Sequence, residues 1–223
     1  MTKAFIFDLD GVIVDTAKYH FLAWKNLAES LDISFSEEEN EHLKGVSRVK
    51  SLQKILEWGD KTISEEEFNR LMAEKNEEYL AYVEKMTEDD ILPGVIEILN
   101  YIKSNNYPTA IGSASKNART ILSKIGLLNF FEEIVDGNEV TKAKPDPEVF
   151  LKGCRLLDIE PEKAIVFEDS KAGILAANTA NMTSVGIGDT TVLKGADFNF
   201  KNFTEMNKNT IETLINFKTS SLK

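Results

Sequence analysis

Cysteine and long apolar stretches are scarce in this chain of 223 residues. Its single cysteine, Cys154, excludes an internal disulfide. No apolar run approaches the roughly 18 residues that a membrane-spanning helix needs. The first apolar residues are interrupted by Asp8 and Asp10, unlike the apolar segment of a secretory signal. We therefore expect a cytoplasmic protein that does not enter a membrane, with Cys154 packed in its core.

Positive charge is also in short supply. Lysine and arginine number 26 against 37 aspartate and glutamate residues, so the formal net charge is −11. Sequence-independent binding to nucleic acid depends on clustered cations that face phosphates, and this composition argues against such a partner. If the ligand is itself anionic, a few well-placed cations must concentrate positive charge at its site.

Short apolar runs alternate with helical patterns along most of the chain. The region from 17 to 88 shows helical patterning almost throughout and no convincing strand, and the tail after about residue 194 shows no clear pattern. Strands that alternate with helices predict an α/β fold with a doubly wound, Rossmann-like parallel sheet. The expected strands are Ala4–Phe7, Pro108–Gly112, Glu133–Val135, Ala164–Phe167 and Thr183–Ile187.

The helical block separates the first expected strand from the remaining ones. This order predicts an α/β core that carries an inserted α-helical cap domain. The core would comprise residues 1–15 and 93–223, and the cap residues 16–92. Hinge linkers are expected near 14–17 and 87–93.

Two aspartates, Asp8 and Asp10, close the first expected strand. Residues two apart at a strand end project to the same side, and two like charges there are costly unless a cation or separate roles justify them. An ionised aspartate can attack phosphorus and form an acyl phosphate, while its neighbour exchanges a proton with the leaving oxygen. The pair alone is often just a turn; its place after an apolar strand favours catalysis.

Three further strand ends carry polar groups. Ser113 opens an anion site at a helix N-terminus, or Ser115 simply caps that helix. Lys144 would hold a phosphate and balance the negative charge of Asp8, or it is simply a solvated lysine. Glu168 and Asp169 offer hard oxygen ligands for Mg²⁺, or Asp169 or Ser170 simply caps the next helix. Together with Asp8, these groups supply the nucleophile, cation site and donors that phosphoryl transfer needs.

The run from Phe7 to Thr16 resembles the first signature of the haloacid dehalogenase (HAD) superfamily, and the Ser113, Lys144 and Glu168-Asp169 elements match its other three in the same order. Within the superfamily, the chain is similar to the β-phosphoglucomutase family. The resemblance covers nearly the whole chain and weakens after residue 188. It is carried by the stretches 15–24, 43–48, 51–56, 113–117 and 168–174.

The resemblance implies a role for residues of the core. Asp8 would be the phosphorylated nucleophile and Asp10 the general acid and base. Mg²⁺ would be held by Asp8, the backbone carbonyl of Asp10 and Asp169, with Glu168 close by. The transferred phosphate would be gripped by Ser113, Ala114, Asn117 and Lys144.

The resemblance also implies roles in the cap. Arg48 would hold the second phosphate of the substrate, and Thr16 would lie in the hinge. On the residues alone, His20 and Trp24 are interpreted as core packing, and Lys44 and Arg48 would pass for solvated surface charges. The closed site would be completed by His20, Trp24, Lys44, Gly45, Val46, Ser47 and Lys75.

The expected function is a Mg²⁺-dependent phosphomutase acting as a monomer. It would interconvert β-glucose 1-phosphate and glucose 6-phosphate through an aspartyl phosphate and glucose 1,6-bisphosphate. A bisphosphate needs two anion sites that face each other, and a closing cap keeps water from the acyl phosphate. A HAD-type sugar-phosphate phosphatase would share the same core residues. A phospho-receiver switch would not need a helical insertion of this size.

Overall fold

The computed structural model describes residues 3–44 and 46–217. Its centre is a six-stranded sheet with the order β3-β2-β1-β4-β5-β6, and every neighbouring pair is parallel. This confirms the doubly wound α/β class. The strands are β1 Ala4–Phe7, β2 Thr109–Gly112, β3 Glu133–Val135, β4 Ala164–Glu168, β5 Thr183–Ile187 and β6 Phe198–Phe200.

Helices occupy the faces of the sheet and the long connection between β1 and β2. Helices α1 to α5 lie in that connection, and α1 to α4 form the block that the helical pattern of residues 17–88 predicts. The α-helices are α1 Ala17–Ser30, α2 Glu37–Glu41, α3 Arg48–Trp58, α4 Glu65–Val83, α5 Val95–Ser104, α6 Ala118–Lys124, α7 Glu148–Leu156, α8 Lys171–Thr179 and α9 Lys208–Asn216. Short 3₁₀ helices span Glu88–Asp90, Pro161–Lys163 and Phe203–Glu205. Within the described residues, no helix combines the length and apolar character needed to cross a membrane.

Apolar side chains form one cluster on each face of the sheet and a third within the helical connection. On one face, the rings of Phe7 and Phe167 stack at a centroid distance of 4.8 Å, whereas Ile6 points to the other face. Burial of each such side chain stabilises the fold by about 1.5–3 kcal/mol. The third cluster contains Trp24, Leu27, Leu52, Ile55 and Leu71, among others.

The structure departs from the sequence expectations in two places. The tail after residue 194 contains β6 and α9, which the pattern did not reveal because Phe198 and Phe200 lie half-buried on an edge strand. The pattern also predicts a helix from Lys116 to Ile125, whereas α6 begins at Ala118, because the preceding loop turns back on itself through side-chain hydrogen bonds.

Candidate functional site

The strand order reverses between β1 and β4, and that is where ligands of open α/β sheets bind. Asp8 directly follows β1, while Glu168 ends β4 and Asp169 follows it. One carboxylate oxygen from each of the three lies within 4.8 Å of the others. Gly11 permits this approach, because a Cβ at its position would lie 2.1 Å from Asp169 Oδ2.

Lys144 lies inside this acidic cluster. Its ammonium donates to Asp8 Oδ1 at 2.5 Å and to Glu168 Oε2 at 2.8 Å, and the residue is 3% exposed. The two carboxylates outweigh the effect of burial and raise the pKa of Lys144, so the amine stays charged. The alternative of a solvated surface lysine is therefore wrong.

The three carboxylates are not equally available to a cation. Glu168 already accepts from Lys144 at 2.8 Å, from Ser170 N at 3.1 Å and from Ser170 Oγ at 2.7 Å. Burial, followed by the charge of Glu168, raises the pKa of Asp169 to about 8. A divalent cation would offset this excess of buried negative charge, and carboxylate oxygens are the donors that hard cations prefer. The available oxygens belong to Asp8 and Asp169, while Glu168 orients its neighbours.

Ser170 also serves the helix that follows. Its Oγ accepts a hydrogen bond from Gly173 N at 3.1 Å, so it is the N-cap of α8. The capping alternative is thus correct for this hydroxyl, although Asp169 beside it faces the acidic cluster. Gly173 is needed here, because a Cβ at its position would lie 2.0 Å from the Glu168 carboxyl carbon.

Asp10 is half-buried and turned toward the start of the helical connection. Its Oδ1 accepts a hydrogen bond from the hydroxyl of Thr16, which is fully buried. Burial raises the pKa of Asp10, and the bond from Thr16 opposes that rise. An aspartate with a raised pKa is suited to exchanging protons near neutral pH.

The loop after β2 curls through two hydroxyl contacts. Ser113 Oγ accepts from Ser115 N at 3.0 Å, and Ser115 Oγ accepts from Asn117 N at 3.2 Å. The helix itself has no side-chain N-cap, so the alternative that Ser115 caps α6 is wrong. Ala114, Lys116 and Asn117 line the cavity beside this loop. Lys116 is a cation that the sequence reasoning did not assign to the site.

A cavity of about 870 Å³ separates the strand ends from helices α1–α4. It brings most residues predicted from the two regions of the chain onto facing walls. Gly45 lies outside the described residues. The predicted residues that line the cavity are Asp8, Asp10, Ala114, Asn117, Lys144 and Asp169 on the sheet side, with Thr16, His20, Trp24, Lys44, Val46, Ser47, Arg48 and Lys75 opposite.

The wall opposite the sheet is unusually cationic for an acidic protein. Lys75 is 2% exposed, and its Nζ lies 2.8 Å from His20 Nδ1 and 4.7 Å from the ring centres of Trp24 and Tyr79. Burial, and then the charge of Arg48, lower the pKa of Lys75 to about 7. The pKa of His20 is lowered well below its usual value by the same two kinds of effect. An anionic ligand would counter the lowering of both pKa values, because it stabilises the protonated side chains.

The sequence carried a signal for the burial of Lys75. Leu71, Lys75 and Tyr79 recur every four residues on α4, and all three are buried. This spacing marks the inward face of an amphipathic helix. Position 75 therefore required a partner inside the protein, and Tyr79, which the sequence reasoning did not single out, supplies part of it.

Arg48 and Lys44 lie at the edge of this wall. The hydroxyl of Ser47 caps α3, which places Arg48 at the first helical position. Burial lowers the pKa of Arg48. Lys44 Nζ lies 2.9 Å from Glu41 Oε2 and 3.8 Å from Asp169 Oδ2. It therefore contacts the acidic cluster on the other wall.

Comparison with known proteins agrees with this geometry. The chain is 44% identical over 197 residues to β-phosphoglucomutase of Bacillus subtilis, which covers 87% of each chain. It is 32% identical over 185 residues to the phosphorylated carbohydrates phosphatase of Thermotoga maritima, covering 82% of this chain and 83% of the relative. The solved β-phosphoglucomutase of Clostridium difficile superposes with a TM-score of 0.93 and 43% identity, covering 97% and 98% of the two chains.

A family model adds the assignment. The model for haloacid dehalogenase-like hydrolases matches residues 5–187, which is well over half of the chain. It spans the strand ends, the acidic cluster and the inserted helices described above. The expected membership is confirmed: the chain belongs to the haloacid dehalogenase-like hydrolase family.

Proposed function

We propose that this protein is a β-phosphoglucomutase that interconverts β-glucose 1-phosphate and glucose 6-phosphate. One observation carries the proposal: two groups of cations face each other across a single cavity. Lys144 lies on the sheet side, and Arg48 and Lys75 lie on the helical side. A sugar bisphosphate carries two phosphates that need such opposed partners. The identity to the B. subtilis and C. difficile mutases supports the same reading.

We further propose that residues 16–92 form a cap which moves over a core of residues 1–15 and 93–223. The separate hydrophobic cluster of helices α1–α3 and the first half of α4 supports a cap that holds together on its own. Its hinges would lie near 14–17 and 87–93. Closure would exclude water from the acyl phosphate and bring the cationic wall onto the sugar.

In the proposed reaction, Asp8 attacks one phosphorus of the sugar bisphosphate in line and forms an acyl phosphate. The bond between that phosphorus and the sugar oxygen breaks, Asp10 donates a proton to the oxygen, and a sugar monophosphate leaves. In the return step, Asp10 takes a proton from the free hydroxyl of a sugar monophosphate, which then attacks the acyl phosphate and re-forms the bisphosphate. Asp10 must therefore exchange its present partner, Thr16, for the sugar. Ser113, Ala114, Asn117 and Lys144 would position the transferred group.

We propose Mg²⁺ as the cation of this site. Asp8, Asp169 and the backbone carbonyl of Asp10 would hold it, and Glu168 would act through Lys144 and Ser170. The bound ion would neutralise charge that develops on the transferred phosphoryl oxygens. Lys144, which pairs with Asp8, would contribute to the same neutralisation.

A phosphatase is the second candidate, because the T. maritima relative bears that name and the match covers 82% of this chain. A coupled assay distinguishes the two. A β-phosphoglucomutase converts β-glucose 1-phosphate but not the α-anomer. It requires Mg²⁺ and catalytic amounts of glucose 1,6-bisphosphate. Steady release of inorganic phosphate at a rate comparable with isomerisation would favour the phosphatase.

Arg48→Ala tests the second anion site. We expect isomerisation to fall about 100-fold, because a lost charge-assisted phosphate contact costs about 3 kcal/mol. Hydrolysis of a small aryl phosphate should fall by less than threefold, since that substrate reaches only the sheet side. Arg70→Ala, on the exposed face of α4, is the control. Equal losses in both reactions would contradict the assignment of Arg48.

Lys44→Ala tests the contact between the helical wall and the acidic cluster. The ammonium 3.8 Å from Asp169 Oδ2 competes with a cation for that carboxylate. Since Lys44 is partly exposed, we expect its removal to raise the affinity for Mg²⁺ by only about three- to tenfold. Calorimetric titration with Mg²⁺ in the absence of sugar measures this directly. Lys50→Ala serves as the control, and weaker Mg²⁺ binding in Lys44→Ala would make Lys44 a supporting group.

A further inference from the structure

A side-chain hydrogen bond joins the loop after β2 to helix α4 beside the cavity. Asn117 Nδ2 donates to Asn76 Oδ1 at 3.0 Å. Asn117 precedes α6 on the sheet side, whereas Asn76 lies on α4, one residue after the buried Lys75. The bond therefore joins a residue of the proposed phosphate site to the helix that carries the cationic wall.

Helix α4 contacts α6 at the other end as well. Lys124, in the last turn of α6, pairs with Glu84, the C-cap of α4, at 2.6 Å. The side chain of Glu84 is 64% exposed and that of Lys124 34%. Exposed ion pairs of this kind contribute little to stability. Both residues of the Asn76–Asn117 bond are half-buried, and Asn117 lines the cavity, so a ligand in the cavity can contact one partner of this bond.

The side chain of Asn117 has no other partner among the bonds of the described residues. It does not cap α6, although its own backbone N–H is held by Ser115. An asparagine amide offers either two N–H donors or an oxygen acceptor, depending on a half-turn of the group. Because Asn76 Oδ1 is an acceptor, the Asn117 amide is oriented with its nitrogen, and not its oxygen, toward Asn76. The second N–H then stays available to an anion.

We propose that Asn76 is a positioning residue that acts through Asn117 and couples phosphate binding to cap closure. Bringing α4 onto α6 orients the Asn117 amide as a donor, and a phosphate on that donor favours the closed arrangement in return. Such coupling is reciprocal by thermodynamic necessity. The inference deepens the proposed mutase function and rests on it for the sugar ligand.

A double-mutant cycle tests the inference in the Mg²⁺-loaded, full-length protein. Wild type, Asn76→Ala, Asn117→Ala and the double variant are titrated calorimetrically with glucose 6-phosphate and, separately, with inorganic phosphate. We expect Asn76→Ala to weaken the binding of both ligands five- to tenfold, and Asn117→Ala to weaken it at least as much. In the double variant the Asn76 change should add less than twofold, because its effect passes through Asn117.

Glu84→Ala is the matched control, since it removes the ion pair with Lys124 between the same two helices. It should bind both ligands within twofold of wild type, and thermal unfolding should show that all variants are folded. The inference is overturned if Asn76→Ala binds both ligands with wild-type affinity. It is also overturned if Asn76→Ala lowers affinity as much in the Asn117→Ala background as in the wild type. If wild type binds phosphate but not glucose 6-phosphate, the mutase proposal fails while the phosphate cycle still decides the role of Asn76. Binding of neither ligand refutes both.

A second readout separates positioning from simple affinity. If Asn76 makes closure depend on phosphate, Asn76→Ala leaves the aspartyl phosphate more open to water. The ratio of inorganic phosphate released to glucose 6-phosphate formed should then rise at least threefold at saturating substrate. An unchanged ratio would count against the coupling to closure.

Discussion

Asp8→Asn is expected to reduce isomerisation by about 10⁴-fold or more, since the amide cannot accept the phosphoryl group. The exchange is nearly isosteric, and Lys144 keeps its bond to Glu168 at 2.8 Å. Removing one carboxylate also relieves repulsion within the acidic cluster, because burial and the neighbouring carboxylates together raise the pKa of Asp8. We therefore expect the free energy of unfolding to change by no more than about 1 kcal/mol.

Steady-state rates and chemical denaturation of the same preparations measure the two effects. Asp60→Asn makes the same exchange on an exposed turn outside the cavity and should match wild type in both. A beryllium fluoride complex provides an independent readout, since it should form on wild type with Mg²⁺ and not on Asp8→Asn. Mutase activity that survived in the variant would remove Asp8 from the mechanism.

Lys144→Met is expected to have the second largest effect and to damage both stability and chemistry. Methionine keeps an apolar stem but removes the ammonium, which is shared by Asp8 and Glu168 and lies 4.7 Å from the ring centre of Phe150. Breaking a buried ion pair on one side costs about 3–5 kcal/mol, because the remaining charges stay buried without a partner. Loss of a preorganised cation beside the transferred phosphoryl group should lower kcat by about 10³-fold.

The two losses are measured by denaturant unfolding and by single-turnover phosphoryl transfer. Lys142→Met is the matched control, because Lys142 lies two residues earlier in the same loop and its side chain is 70% exposed. Its stability should stay within about 0.5 kcal/mol of wild type. A Lys144→Met protein with unchanged unfolding free energy would mean that the carboxylates find another partner.

The core half of the site was predictable from the sequence for a local reason. Parallel strands end at the same edge of a sheet, so polar residues directly after apolar runs are brought together there. Asp8, Ser113 and Asp169 were found in this way. The strand-end expectation was wrong for Lys144, because β3 ends at Val135; its place beside Asp8 was suggested by the chemistry and by the resemblance to the superfamily.

The helical wall was less predictable, because its residues come from a region without strand ends to align them. Lys75 lies in a charged segment; its spacing from Leu71 and Tyr79 marks an inward face, but only the packing of α4 against α1 reveals that the ammonium lies beside His20. Asn76 looked like one more polar residue of that helix. Its bond to Asn117 joins positions 41 residues apart, and no local pattern encodes such a distance.

The sequence by itself determined the α/β class, the helical insertion and the carboxylates at the sheet edge, because strand and helix periodicity and chain order are local properties. Only the tertiary structure decided which carboxylates remain open to a cation. Glu168 and Asp169 are adjacent in the chain, yet Glu168 is taken up by Lys144 and Ser170, whereas Asp169 faces the cavity. Hydrogen-bond partners are set by the packing of distant segments, and this packing separates two neighbouring acids into different roles.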